Sequence, residues 1–176
     1  MRVTKVILAT IVLGCLAAAC AGRASSGPRS GGTAHLSLDG TTYELTSVTM
    51  VISPGEEAWF RIEGLPVDNP HQDCVPGLAG GIGLYGNLPA AVREANDLAG
   101  KRLRIQFSGD GDDANFCFAG MGGLAGAEEA WVTIDSVNED RVAFSMTGTF
   151  KIYDEQGEGP VKTASAAGTA ILRRDS

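Results

Sequence analysis

WVTIDSV (131–137), NED (138–140) and RVAFSMTGTFKIY (141–153) form the stretch that decides the fold. Val132 and Ile134 alternate with Thr133 and Asp135. Val142, Phe144 and Met146 alternate with Ala143, Ser145 and Thr147. A period of two residues is that of a strand with one buried face. The stretch therefore reads as two strands joined by Asn138-Glu139-Asp140.

The same period recurs on either side. His35 to Leu38 is a short strand, and Asp39-Gly40 after it tolerates the positive φ of a tight hairpin. Tyr43 to Ile52 returns as a longer strand, and Ser53 to Glu56 is a second turn. Ala58 to Ile62, Leu103 to Phe107, Ala114 to Phe118 and Ala167 to Leu172 complete the set. Gly64 to Gly86 and Gly120 to Gly126, rich in glycine and proline, read as irregular loops. One segment changes period: Leu88, Ala91, Val92, Ala95 and Leu98 share a helical face, with Asn87 to cap it and Gly100 to end it. The expectation is a mainly β domain, an antiparallel sandwich or partly open barrel with one short helix.

The amino end has a different character. Arg2 and Lys5 precede an uncharged, mostly apolar run, Val6 to Ala19, of the length of a signal-peptide core and short for a membrane span. Ala17-Ala18-Ala19 then lead to Cys20. This end resembles the lipobox of bacterial lipoproteins, with Ala17 where that family usually has Leu. The resemblance implies cleavage after Ala19, diacylglycerol on the Cys20 thiol and further acylation of the new amino terminus. Val12-Leu13-Gly14-Cys15 is a second candidate that leaves a shorter apolar core, and cleavage near Ala17–Ala19 as an ordinary signal is a third reading. Two or three acyl chains, at about 0.8 kcal/mol per buried methylene, hold a protein firmly on a lipid membrane. Ala21 stands where Asp favours inner-membrane retention in Gram-negative lipoproteins, which points to the outer membrane where one exists. The expected organisation is signal peptide 1–19, lipidated flexible tether 20–32 and a single envelope domain 33–176 facing outside the cytoplasm.

The chain holds 14 Lys and Arg against 21 Asp and Glu. Arg2, Lys5, Arg23 and Arg29 precede Thr33 and no acid does, so the domain keeps 10 basic and 21 acidic residues, a net charge of −11. Such a surface repels nucleic-acid phosphates and anionic lipid headgroups, so neither is an expected partner of the domain itself, and it suits solubility, divalent ions or a cationic protein partner. Cys74 and Cys117 remain after Cys15 and Cys20 are accounted for, and in an oxidising compartment they are expected to pair. A loop of about 43 residues closed in this way is worth roughly 4 kcal/mol in the chain-entropy account.

Catalytic patterns are sparse. Gly81-Ile82-Gly83-Leu84-Tyr85-Gly86 matches a dinucleotide fingerprint but lacks the strand before it, so it reads as a turned loop. Asp110, Asp112 and Asp113 alternate with glycine in a manner that suits Ca²⁺ without completing an EF-hand; a solvated turn is the alternative. His71, beside Asp73 and Cys74, is one of only two histidines, too few for a catalytic zinc site. Glu128 and Glu129 are adjacent and would face opposite ways on a strand. Trp59, Phe60 and Trp131 read as core, while Tyr85 and His71 are the candidate ligand contacts. No cofactor is implied beyond that cation. The expectation is a non-enzymatic binding module on the envelope, with a hydrolase of unrecognised site or a ligand-free structural lipoprotein as alternatives.

Overall fold

A computed structural model describes residues 31–68, 78–107, 115–118, 121, 123–154 and 157–175, and the backbone alone for 73–75 and within 78–79. Among the described residues eleven strands are formed: β1 (Gly32–Leu38), β2 (Thr41–Ser53), β3 (Trp59–Pro66), β4 (Asp73–Val75), β5 (Leu78–Ala79), β6 (Gly81–Asn87), β7 (Arg102–Arg104), β8 (Phe116–Cys117), β9 (Leu124–Asn138), β10 (Arg141–Asp154) and β11 (Gly157–Arg174). Among the described residues β4 and β5 pair only with each other.

The other nine form one sheet that closes on itself. Its order is β10-β11-β1-β2-β3-β6-β8-β9-β7, and β9 also pairs with β10. Ala34 on the first strand lies opposite Gly168 on the last. The expected sandwich or partly open barrel is thus a closed antiparallel barrel in which each stave lies beside its neighbour along the chain. β7 and β8 occupy one stave between them. Arg104 of β7 lies opposite Trp131 of β9, and Gln106 bridges to Tyr85 of β6. Farther along the same stave, Phe116 of β8 pairs with both Ile82 and Ala125.

Asn115 stitches this divided stave. It is fully buried. Its side-chain NH₂ donates to the carbonyls of Gly83 (3.0 Å) and Gln106 (3.1 Å), and its side-chain oxygen accepts from the Ala127 N–H (2.7 Å). Its backbone N–H donates to Ala125 O at 2.8 Å, and its carbonyl accepts from the Gly83 N–H at 2.8 Å. One residue therefore joins β6, the end of the β7 segment and β9 where a ladder is interrupted. A buried amide is tolerated because each of these groups is satisfied.

The interior follows from the alternation. Leu36, Met50, Ile52, Phe60, Ile62, Leu84, Val132, Phe144 and Phe150 all point inward and are buried. The rings of Phe116 and Phe150 meet at 4.4 Å inside the barrel. An eight-stave barrel is just wide enough for side chains to fill it, and here they do. At one end Tyr43 stacks on Phe118 at 4.2 Å, packed against the same core. At the other, Leu88, Val92 and Leu98 of the β6–β7 connection are buried in it.

That connection corrects the expected helix. Residues 88–99 contain only a 3-10 turn, Ala95–Leu98. The Asp97 carboxylate accepts the backbone N–H groups of Arg93 (2.9 Å) and Glu94 (3.1 Å). Glu94 is extended, with φ −141° and ψ 170°. The side chain takes donors that continuous helical bonding would use, and the helix breaks there.

The glycine-rich stretch 81–86 is strand β6 rather than a loop. Ile82 and Leu84 face the core, while Gly81, Gly83 and Tyr85 face outward. Glycine is required here by close approach: a Cβ on Gly86 would strike the Arg104 carbonyl, and one on Gly81 would lie 2.6 Å from the Gly64 carbonyl. At the other hairpins the expected chemistry holds: Asp39 and Gly40 take φ of 49° and 83°.

Candidate functional site on the outer wall

Because the barrel interior is occupied by side chains, a site must be built from what the wall presents outward. Tyr85 is the outward residue of β6 in the middle of the divided stave's flank. The β7 segment runs beside it, its register fixed by Gln106 N–H donating to the Tyr85 carbonyl at 2.8 Å. Alternation then turns Arg104 and Gln106 outward and Ile105 inward, where its N–H donates to Ala130 O at 2.9 Å. Phe107 follows and lies over Gly126, where a Cβ would run into its ring. Its far side meets Tyr153, centroid to centroid, at 5.1 Å.

On the other flank β9 carries a bulge. Thr149 pairs with Glu129 and Phe150 with Ala127, so Glu128 is the extra residue. A bulge re-aims its side chain. Glu128 faces the hollow between Tyr85 and Phe107. The result is an open depression of about 360 Å³ lined by Tyr85, Arg104, Ile105, Gln106, Phe107, Ala127 and Glu128. Beside it, the Lys151 ammonium bonds to Glu158 and stands 4.0 Å from Glu128. The Glu158 hydrogen bond, above all, holds the Lys151 pKa above its ordinary value.

The depression offers aromatic walls, one guanidinium, one carboxamide and one carboxylate. That set binds by stacking and by hydrogen bonds at fixed positions. Among the described residues its lining includes no histidine, serine or cysteine, and one carboxylate, Glu128.

Of the residues singled out in the sequence, Tyr85 and Glu128 line this hollow. Cys20, His71, Asp110, Asp112 and Asp113 lie outside the described residues. For Cys74 the backbone alone is described, on β4. Cys117 is buried on β8. Among the described residues no three His, Cys, Asp or Glu side chains group to hold a metal ion. Trp59 and Trp131, expected in the core, face outward and are half-buried; Arg102 lies 4.5 Å above the Trp131 ring. Arg104, Gln106 and Phe107 escaped the sequence reading. Their signal was the outward half of the alternation already read from Leu103 to Phe107.

The fold defines a closed, filled, up-and-down β-barrel with a polar and aromatic hollow on its outside. The chain matches no protein-family model, no curated protein and no solved structure.

Proposed function

We propose that the chain is a lipid-anchored envelope protein whose barrel is a rigid support for non-catalytic ligand binding on its outer wall. The observation that carries this reading is the filled interior: with Phe60, Phe116, Phe144 and Phe150 fully buried, a ligand meets the outside of the barrel. The Tyr85–Arg104–Gln106–Phe107–Glu128 hollow is where it has both flat surface and hydrogen-bonding groups. The net charge of −11 favours encounter with a cationic protein and disfavours nucleic acid.

The anchor in this reading is acylated Cys20, and the barrel is tied by a Cys74–Cys117 disulfide. One observation supports that pairing. β4 lies against β5, with Asp73 opposite Ala79, and two residues on Gly81 lies opposite Cys117.

The test uses residues 31–176, which contain every strand of the barrel, as bait for envelope extract. A partner should be retained by the native sequence and lost when Tyr85 and Arg104 are both replaced by Ala. Turnover of a model ester or glycan, or retention of the same partner by the double variant, would overturn the reading. The anchor is tested by Cys20→Ser, which should release the chain from membranes and abolish the fatty mass on the mature protein.

A further inference from the structure

The wall through which the chain enters the barrel gathers guanidinium and apolar side chains. Arg173 on β11 lies opposite Val51 on β2, and Val51 lies opposite Arg61 on β3. One row away, Ile171 lies opposite Arg141 on β10 and Thr49 on β2. Trp59 shares the outward set of β3 with Arg61. Arg61, Arg141 and Arg173 are exposed, and Val51, Trp59 and Ile171 are half-buried. Three guanidinium groups and three apolar groups thus share one wall of a domain whose net charge is −11. Arg61 pairs with Glu63 at 2.7 Å, with both side chains about half exposed. Arg141 and Arg173 have no ion pair among the described residues. Asp140 and Asp175 stand beyond them at the barrel's end, so the basic feature belongs to the wall.

The chain arrives at this same wall. Gly31 and Gly32 are wedged between β11 and β2: a Cβ on Gly32 would strike the Thr169 carbonyl, and one on Gly31 would strike the Ser47 backbone. Just past that point, where β1 has not yet begun, β11 and β2 pair directly in parallel. Gly31 is 11 residues from Cys20. Even fully extended, that length spans at most about 40 Å.

We infer that this wall, bearing Val51, Trp59, Arg61, Arg141, Ile171 and Arg173, rests on the anionic headgroups of the membrane that holds Cys20. The inference rests on the anchoring reading above. Arginine stems lie along apolar surface while their guanidinium groups bond phosphate oxygens in pairs, and tryptophan settles at the headgroup level. Anionic lipids attract the basic wall and repel the acidic remainder, so one orientation is selected. The Tyr85–Phe107 hollow borders this wall, because Tyr85 lies opposite Arg61, and opens round the side of the barrel away from the Ile171 row.

The two tryptophans make the test. Trp59 lies on the wall, and Trp131 lies on β9, which adjoins β10, but opposite Thr147, six residues along β10 from Arg141. The acylated chain is reconstituted in vesicles of phosphatidylglycerol and phosphatidylcholine that carry lipids brominated near the headgroup. Trp131→Phe leaves Trp59 as reporter, and Trp59→Phe leaves Trp131. The expected result is loss of fluorescence from Trp59 and little from Trp131. The difference should vanish in phosphatidylcholine alone and in the double variant Arg61→Glu, Arg173→Glu. Lys162→Glu, a single charge reversal near Asp39 at the far end, should preserve it, and Arg61→Glu alone should already weaken it. A mature chain without fatty mass removes the anchor and this orientation together. An acylated chain whose two tryptophans quench alike, or whose quenching ignores headgroup charge, removes the orientation alone.

Discussion

The side-chain oxygen of Asn115 holds the backbone N–H of Ala127 at 2.7 Å, and its amide nitrogen holds two further strands by their carbonyls. One side chain thereby does what a continuous ladder does elsewhere in the barrel. Asn115→Leu keeps the volume but strands three backbone groups. It should cost about 3–5 kcal/mol, taking one to three per unsatisfied group with partial rescue by water. Asn115→Asp should cost more, because a buried carboxylate would face the two carbonyls that the amide now satisfies. Denaturant midpoints measure both, and a loss below 1 kcal/mol for either would show that the wall holds without this stitch.

Phe107 is kept in place by the absence of a side chain at Gly126. Gly126→Ala should push the ring off β9, disturb its contact with Tyr153 and destabilise by about 1–3 kcal/mol. In a Phe107→Ala background the same change should be close to neutral. A double-mutant cycle measures the difference, and additive effects would mean that the ring does not sit where Gly126 admits it.

Asp97 gives the β6–β7 connection a dependence on pH. Its pKa is lowered from 3.8, first by the Arg93 backbone hydrogen bond and then by that of Glu94. A carboxyl whose folded pKa lies below its unfolded value adds stability above the unfolded pKa and loses it as pH falls through the folded one. Asp97→Ala should therefore lower the melting temperature at neutral pH and make progressively less difference as pH falls below about 3.8. Thermal melts of both proteins across that range decide it; an equal deficit at every pH would assign the effect to packing.

Joining Cys74 to Cys117 would hold β4 and β8 near the end of the barrel that Tyr43 and Phe118 close. Cys74→Ser should remove up to about 4 kcal/mol, the value for a loop of this length, and should abolish the response of native protein to reductant. Melting curves with and without dithiothreitol report it, and a native protein indifferent to reductant would dispose of the pairing.

The strand content was legible because Leu36 and Leu38, Val142 and Phe144, and Val132 and Ile134 alternate with polar or small residues, and Asp39-Gly40 marks its hairpin unaided. Other parts were hidden by particular residues. Gly81 and Gly83 leave the outward positions of β6 empty, so a strand resembles a loop. β11 buries Ala164, Ala166 and Ala170, residues too small to announce a core face, and it runs Gly157–Arg174 where only 167–172 was readable. Leu88, Val92 and Leu98 do face the core, but Asp97 takes the hydrogen bonds that would have made their segment a helix. Closure was invisible because the register of Ala34 against Gly168 is set by the whole barrel and leaves no local mark. In the hollow, Tyr85 stood out as an aromatic among glycines, whereas Glu128 depends on a bulge whose position follows from pairing.

The seam also imposes an order of assembly. Away from it, each ladder of the barrel links successive parts of the chain and can form as they appear; where β11 meets β1 and β2, the two extremes of the domain must come together. Contacts that span so much sequence form late. A polypeptide delivered amino end first, from a ribosome or through a secretion channel, travels nearly its full length as an unsealed sheet, and only its final strand shuts the cylinder.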